Sequence, residues 1–230
     1  MSVFSMGKKI LNKFPFLTRM TSGIYNLFAN NSFKGLKNNI ISKEYAFMRR
    51  CKVQINGVGN QILIGKKCFL SNCKITISGN NNKIILDDTI YADKCTFCIE
   101  DDSNIISIGS DTRIFGPCEF AAMEGTQIKL GQGCLISSIT VFRTGDSHSI
   151  LDLSGNRINA SKDISLGDRV WVGQRASILK GSVISKDSIV SFGAIVTKEF
   201  DTPNVILGGV PAKLLKDGVS WCAQRLKIDE

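Results

Sequence analysis

Aliphatic positions recur along this chain at two fixed steps, and neither step is helical. Four segments align without gaps: "NQILIG" at 60–65, "NKIILD" at 82–87, "NIISIG" at 104–109 and "TQIKLG" at 126–131. Their anchors Ile64, Leu86, Ile108 and Leu130 keep one 22-residue step, as do Ile62, Ile84, Ile106 and Ile128. Polar corners, "NGVGN", "SGNNN" and "EDDSN", precede or overlap three of the segments. Further on the step tightens to six: Leu166, Val172, Ile178, Ile184, Val190 and Val196. Two positions before each anchor stands a small or branched residue: Ile164, Val170, Ala176, Ser182, Ser188 and Ala194. A period of about 3.6 residues would scatter these anchors around a helix axis. Three six-residue sides instead close one triangular coil with its anchors stacked inside. The 22-residue coils add a four-residue bulge at one corner, where Gly and Asn can take the positive φ of a sharp turn.

One interruption breaks the rhythm. Leu130, Ile136 and Phe142 keep the six-residue step, but the next anchor in phase is Leu166, four steps beyond Phe142 instead of one. The length of three whole sides therefore leaves the coil, in a polar excursion at about 143–161. Long departures from an economical solenoid are more often functional than connecting. This one holds His148, the single histidine of 230 residues.

Composition narrows the classes. The chain is 43% hydrophobic and 21% charged, and no apolar run reaches the roughly 18 residues a membrane span needs. With no signal-peptide pattern at its start, the expected location is cytoplasmic, or peripheral at an inner membrane. The net charge of +9 is concentrated in residues 1–52, which carry ten Lys or Arg and one acid, Glu44; in the rest of the chain acids and bases balance. In residues 1–50, Phe4, Ile10, Leu11, Phe14, Leu17, Met20, Ile24, Leu27 and Phe28 recur mostly at three- and four-residue steps among Lys8, Lys9, Lys13 and Arg19. That pattern predicts one or two amphipathic helices. They could cap the first coil, rest on a membrane or hold a polyanionic acceptor. The eight cysteines are expected to be reduced filler in the stack, and Cys95-Thr-Phe-Cys98 lacks the second pair or histidines of a zinc site.

The repeat, with "DSHSI", "RIN", "DISLGDRVWVG" and "PNVILGGVPAKLLK", resembles the hexapeptide-repeat acyltransferases, and among them the bacterial polysaccharide O-acetyltransferases that include enzymes of sialic acid capsules. The resemblance is strong from about 136 to 216. One departure is Ser149, where that pattern commonly has proline. It implies an all-β, left-handed parallel β-helix with an N-terminal helical segment (1–52), a β-helix domain (53–202) bearing one extended catalytic loop, and a C-terminal helical cap (203–230). It also implies a homotrimer, acetyl-CoA as co-substrate, no metal, a carbohydrate acceptor and no nucleic acid.

By the same resemblance His148 is the general base, taking the acceptor hydroxyl's proton and returning one to the leaving thiolate. Imidazole suits this because it exchanges protons near neutral pH. Asp146 orients that ring or caps a turn. Trp171 shapes the acceptor site, packs on the acetyl-CoA arm or packs the trimer. Gln174, Phe192, Thr197 and Lys198 line the CoA arm, and Lys213 and Lys216 meet its phosphates. Arg143, Arg157 and Asn159 are the candidate acceptor-binding residues.

Three alternatives stay open or close on the residues. An acetyltransferase of a small acceptor (an antibiotic, a free sugar, a nucleotide-linked amino sugar or serine) would use the same chemistry. A non-enzymatic scaffold would not need the intact D-x-H, V-W-x-G and P-A-K elements. A zinc carbonic anhydrase of this fold needs three histidines, and the chain has one.

Overall fold

A computed structural model describes residues 15–227, and it shows the chain winding as a three-sided parallel β-solenoid of about eight coils. One coil defines the sides: Trp171–Val172 lies on the first face, Ser177–Leu179 on the second and Val183–Ile184 on the third. The register reproduces both periods read from the sequence. Ile62 pairs with Ile84 and Ile84 with Ile106 at the longer step, and Leu166 pairs with Ile184 at the shorter. Leu130 pairs directly with Leu166, so the ladder closes over the excursion as if it were absent.

Alternation along each strand sorts the side chains. In Gln127–Leu130, Ile128 and Leu130 are buried while Gln127 and Lys129 face outward. The same rule stacks like on like between coils. Phe97, Phe120 and Phe142 form a buried pile with ring centroids 5.2 and 4.6 Å apart. Cys51, Cys73, Cys95 and Cys118 follow one another at the same buried place in successive coils, as free thiols. Cys95 faces inward and Cys98 outward.

The extra residues of the longer coils sit at the corner between the second and third faces. There Gly79 has φ of 139° and Asn81 of 56°. A Cβ on Gly79 would stand 2.1 Å from the Asp101 carbonyl oxygen, so no other residue fits. A ladder of buried amides holds this corner. The backbone N–H of Asn82 donates to Asn60 Oδ1 (3.0 Å), that of Asn104 to Asn82 Oδ1 (2.8 Å), and that of Thr126 to Asn104 Oδ1 (3.0 Å). Asn82 Nδ2 also donates to the Asp101 carbonyl (2.9 Å).

Two expectations need correction. The helical head is shorter than 1–52: a helix, α1, spans Pro15–Phe28, and strands at Ser32–Lys34, Ile40–Lys43 and Phe47–Arg49 already form the first coil. Its steps to the next coil are uneven (Ser32 to Lys52, Ile40 to Gln61, Phe47 to Phe69), which hides it from a search for a fixed period. Phe4, Lys8, Lys9, Ile10, Leu11, Lys13 and Phe14 lie outside the described residues. At the other end there is no helical cap among the described residues. Ala212–Lys216 turns back and pairs antiparallel with Ile206–Gly209. Gly209, at φ 100°, starts the reversal, and the returning strand covers backbone groups that an open sheet edge would leave unpaired.

Asn82→Ala should be the costly change at this corner. It strips the buried Asn104 N–H of its partner, at about 1–3 kcal/mol, and removes the part-buried bond to the Asp101 carbonyl, at about 0.5–1.5 kcal/mol. Urea unfolding should show a loss of about 2–4 kcal/mol, against less than about 0.5 kcal/mol for the exposed neighbour Lys83→Ala.

Candidate active site

The excursion leaves from the same bulged corner. Its stem is closed by the Lys162 N–H donating to the Thr144 carbonyl (2.8 Å), and Thr144 is fully buried. Its tip is a small hairpin: Leu151 bridges Arg157, and Asp152 Oδ1 accepts the N–H groups of Ser154 (2.9 Å) and Asn156 (2.8 Å). Gly155, at φ 85°, makes the turn.

Asn159 ties the two legs together. It is 6% exposed, and its amide is fully used. Oδ1 accepts from Ile150 N–H (2.9 Å) and Arg157 Nε (3.1 Å); Nδ2 donates to Asp146 Oδ2 (2.9 Å) and to the His148 carbonyl (2.8 Å). Lys180, at the same corner one coil further along the solenoid, reaches Asp146 Oδ2 (2.5 Å) and the Asn159 carbonyl (3.2 Å). The Lys180 ammonium, and after it the Asn159 amide, hold the Asp146 carboxyl below its ordinary pKa. On the return leg, Glu124 takes the Arg157 guanidinium (2.5 Å) and both the hydroxyl (2.7 Å) and N–H (3.1 Å) of Ser161. Those partners, Arg157 first, push the Glu124 pKa down to about 2. On the outgoing leg, Arg143 bonds Glu119 (3.3 Å) and Ser147 (3.1 Å).

The main chain around His148 is therefore fixed on both sides while its imidazole is exposed, with no hydrogen bond from the ring among the described residues. Asp146 bonds Lys180 and Asn159 rather than the ring. Asn159 has no polar atom left for an acceptor, so its role in this geometry is to shape the loop. Arg157 and Arg143 are engaged with Glu124 and Glu119.

The residues expected to line the co-substrate divide between two corners and the terminal hairpin. Trp171 faces outward on the first face, its Nε1 donating to Ser137 Oγ at 3.3 Å. Gln174 follows at the next corner, and Phe192 stands one coil beyond it, exposed, with the Arg175 guanidinium 5.8 Å from its ring. Thr197 and Lys198 lie at the corner of the excursion, one coil beyond Lys180. Lys213 and Lys216 are exposed on the terminal hairpin of the first face. The root of the excursion and Trp171 thus belong to different parts of the coil, Trp171 on the first face and Thr144 at the far end of the second. Among the described residues Trp171 meets Ser137 and Trp221, and no contact joins it to His148.

Lys180, Glu124 and Trp221 escape a reading of the sequence. Trp221 packs 6.1 Å from Trp171, bonded to Arg169 through Nε1 (2.6 Å) and its carbonyl (3.0 Å), with the guanidinium 5.3 Å from its ring. That the chain's two tryptophans meet is foreshadowed only by their being two. Glu124 and Lys180 carry no signal, because their partners lie far along the chain, at Arg157 and Ser161 for the one and Asp146 and Asn159 for the other. Among the described residues no cluster of three His, Cys, Asp or Glu is placed to hold a metal.

No family model matches the chain. It is 36% identical over 96 residues to a polysialic acid O-acetyltransferase of Escherichia coli O1:K1 / APEC, a match covering 41% of this chain and 31% of that protein. A polysialic acid O-acetyltransferase of Neisseria meningitidis is 28% identical over 107 residues, covering 46% and 50%. The chain thus matches no more than half the length of these curated relatives. The crystal structure of the polysialic acid O-acetyltransferase OatWY superposes with a TM-score of 0.76 at 26% identity, over 85% of this chain and 92% of that one. The fold is the left-handed β-helix of the acetyltransferases.

Glu124→Gln keeps the shape of the side chain but removes its charge from Arg157 and Ser161. Loss of about 1.5 kcal/mol of charge-assisted bonding would raise the open fraction of the loop roughly tenfold. Trypsin cleavage after Arg157 should accelerate by that factor at pH 7.5. The sign with pH follows from the depressed pKa: the anchor is complete above about 4.5 and is lost as pH falls towards 2.

Proposed function

We propose that the protein is an O-acetyltransferase that moves the acetyl group of acetyl-CoA to a hydroxyl of a bacterial surface polysaccharide or its sugar precursor. The observation that carries this reading is the placement of His148. A lone imidazole stands exposed on a loop whose backbone is pinned by Asn159, Asp146 and Lys180. A ring that served only packing would be covered.

His148 accepts the acceptor's hydroxyl proton as that oxygen attacks the acetyl carbonyl; when the carbon–sulfur bond breaks, the imidazolium returns the proton to the thiolate. Such help is worth about 10²- to 10⁴-fold. The residues available fit the co-substrate: a corner with an exposed ring and amide at Phe192 and Gln174, leading to the cations Lys213 and Lys216 on the hairpin. Gln174 and Phe192 would flank the amide-rich arm, and the two lysines its phosphates. Trp171, backed by Trp221, would wall the acetyl end.

With no contact between His148 and Trp171 in the single chain, the reading that fits is a site built from the imidazole of one copy and the tryptophan of another. That supports a homotrimer with Thr197 and Lys198 of one copy opposite Gln174 and Phe192 of its neighbour. The similarity to polysialic acid enzymes supports a carbohydrate acceptor. A small acceptor would use the same machinery, and acceptor profiling with isotope-labelled acetyl-CoA and mass spectrometry separates the two.

His148→Ala should lower kcat by about 10²-fold or more while CoA binding and oligomer mass stay unchanged. Turnover retained in that variant would end the proposed mechanism. Co-refolding His148→Ala with Trp171→Ala should recover part of the activity that each lacks alone, since mixed assemblies then hold some intact sites. No recovery, with mixed assemblies confirmed by native mass spectrometry, would place both residues in one chain's site.

A further inference from the structure

The outer side of α1 has no use in the solenoid. Its inner side is committed: Tyr25 packs against Phe47 and Phe69 with centroids 5.6 and 6.5 Å away, and Asn26 donates to the Ala46 carbonyl and accepts the Met48 N–H, both at 2.8 Å. Its outer side presents Met20, Ile24, Leu27 and Phe28, which are 51%, 55%, 81% and 86% exposed. Their spacing of i, i+4, i+7 and i+8 makes one stripe. Cations border it on both flanks. Arg49 and Arg50 line the same cleft as Ile24 and Phe28; Arg19, Lys43 and Lys66 line the cleft beside Leu27, where one acid, Glu44, pairs with Lys66 at 3.6 Å and leaves the cleft net positive. The sequence before α1 adds Lys8, Lys9 and Lys13 and no acid.

We infer that this stripe docks the protein on an anionic lipid surface. Leu27 and Phe28 enter the acyl boundary, and the flanking arginines and lysines stay at the level of the phosphates. No described helix is long and apolar enough to cross a membrane, so α1 would lie in the interface. Charge complementarity selects the occupant. A soluble polyanion would use the cations but has no need of four bare apolar side chains, and a two-fold contact with a second copy would set the same basic head against itself. The inference goes beyond acetyl transfer and does not depend on it.

The test is flotation of the full-length protein with vesicles of phosphatidylglycerol and phosphatidylcholine, against vesicles of phosphatidylcholine alone. Binding to the anionic vesicles is expected, falling at least tenfold in the triple variant Ile24→Ser, Leu27→Ser, Phe28→Ser and steeply with salt in the wild type. Circular dichroism and the mass in solution of the triple variant should match the wild type. Arg49→Ser with Arg50→Ser should weaken binding severalfold while leaving the apolar stripe intact. Three results would overturn the inference: no preference for anionic vesicles, undiminished binding by the triple variant, or a changed oligomer mass in that variant, which would assign the stripe to a contact between copies. Binding to heparin that survives where vesicle binding is absent would reassign the cations to a polyanionic chain.

Discussion

The asparagine ladder at the bulged corner is the constraint on which the site depends. In a parallel solenoid each coil must satisfy the backbone groups of the next, and a corner is where strand pairing cannot do so. Asn60, Asn82 and Asn104 solve this with one side chain repeated in each coil, the amide oxygens of Asn60 and Asn82 accepting the N–H of the asparagine above. The ladder ends on Thr126. Its N–H still donates to Asn104, but its hydroxyl bonds the hydroxyl of Thr144 at 2.7 Å. Thr144 stands at the root of the excursion and also accepts the Met123 N–H at 3.1 Å. The order of the core is thus handed to the base of the loop through buried hydrogen bonds, and the loop begins from a fixed point.

A fixed base does not by itself fix a loop of this length. The rest is done by charged and amide groups drawn from separate parts of the chain: Glu119 and Glu124, the loop's own Asn159, and Lys180 beyond it. The ion pairs are partly open to water, so none acts as a strong isolated one. Their effect comes from geometry, since Asn159 spends all its hydrogen-bonding capacity on both legs at once. The imidazole, by contrast, is exposed and takes no hydrogen bond among the described residues.

How much of this is legible in the sequence follows from how local each signal is. The inner faces of the coils are readable because a fixed step forces equal residues into equal places, and the buried anchors from Ile62 to Val196 stand where the step puts them. The first coil escapes that reading because Ser32 to Lys52 and Ile40 to Gln61 are unequal steps, each shorter than the repeat that follows. At the other end, "AKLLK" has a pattern that suits a helix in isolation. The exposed edge of the last rung makes a strand the better partner, an instance of tertiary context overriding a short pattern. The loop is legible as a gap in the rhythm, and His148 as its one imidazole. The residues that hold it are not, because a salt link between positions as distant as Glu124 and Arg157, or Asp146 and Lys180, leaves no trace in either neighbourhood.

The exposed parts of the single chain point in one direction. The hairpin tip carries Ile150, Leu151, Leu153 and Ile158, all exposed, on a backbone that is otherwise well bonded. A loop built only to hold a base in water would gain nothing from four aliphatic side chains at its end. On the proposed assembly they have a purpose. There the tip would reach past its own corner onto the neighbouring copy, and burying those side chains would set the distance between the imidazole and Trp171 of that copy. The polar anchors fix the loop to its own chain; on this proposal the apolar tip would fix it to the next, and the reacting groups would meet only where both hold.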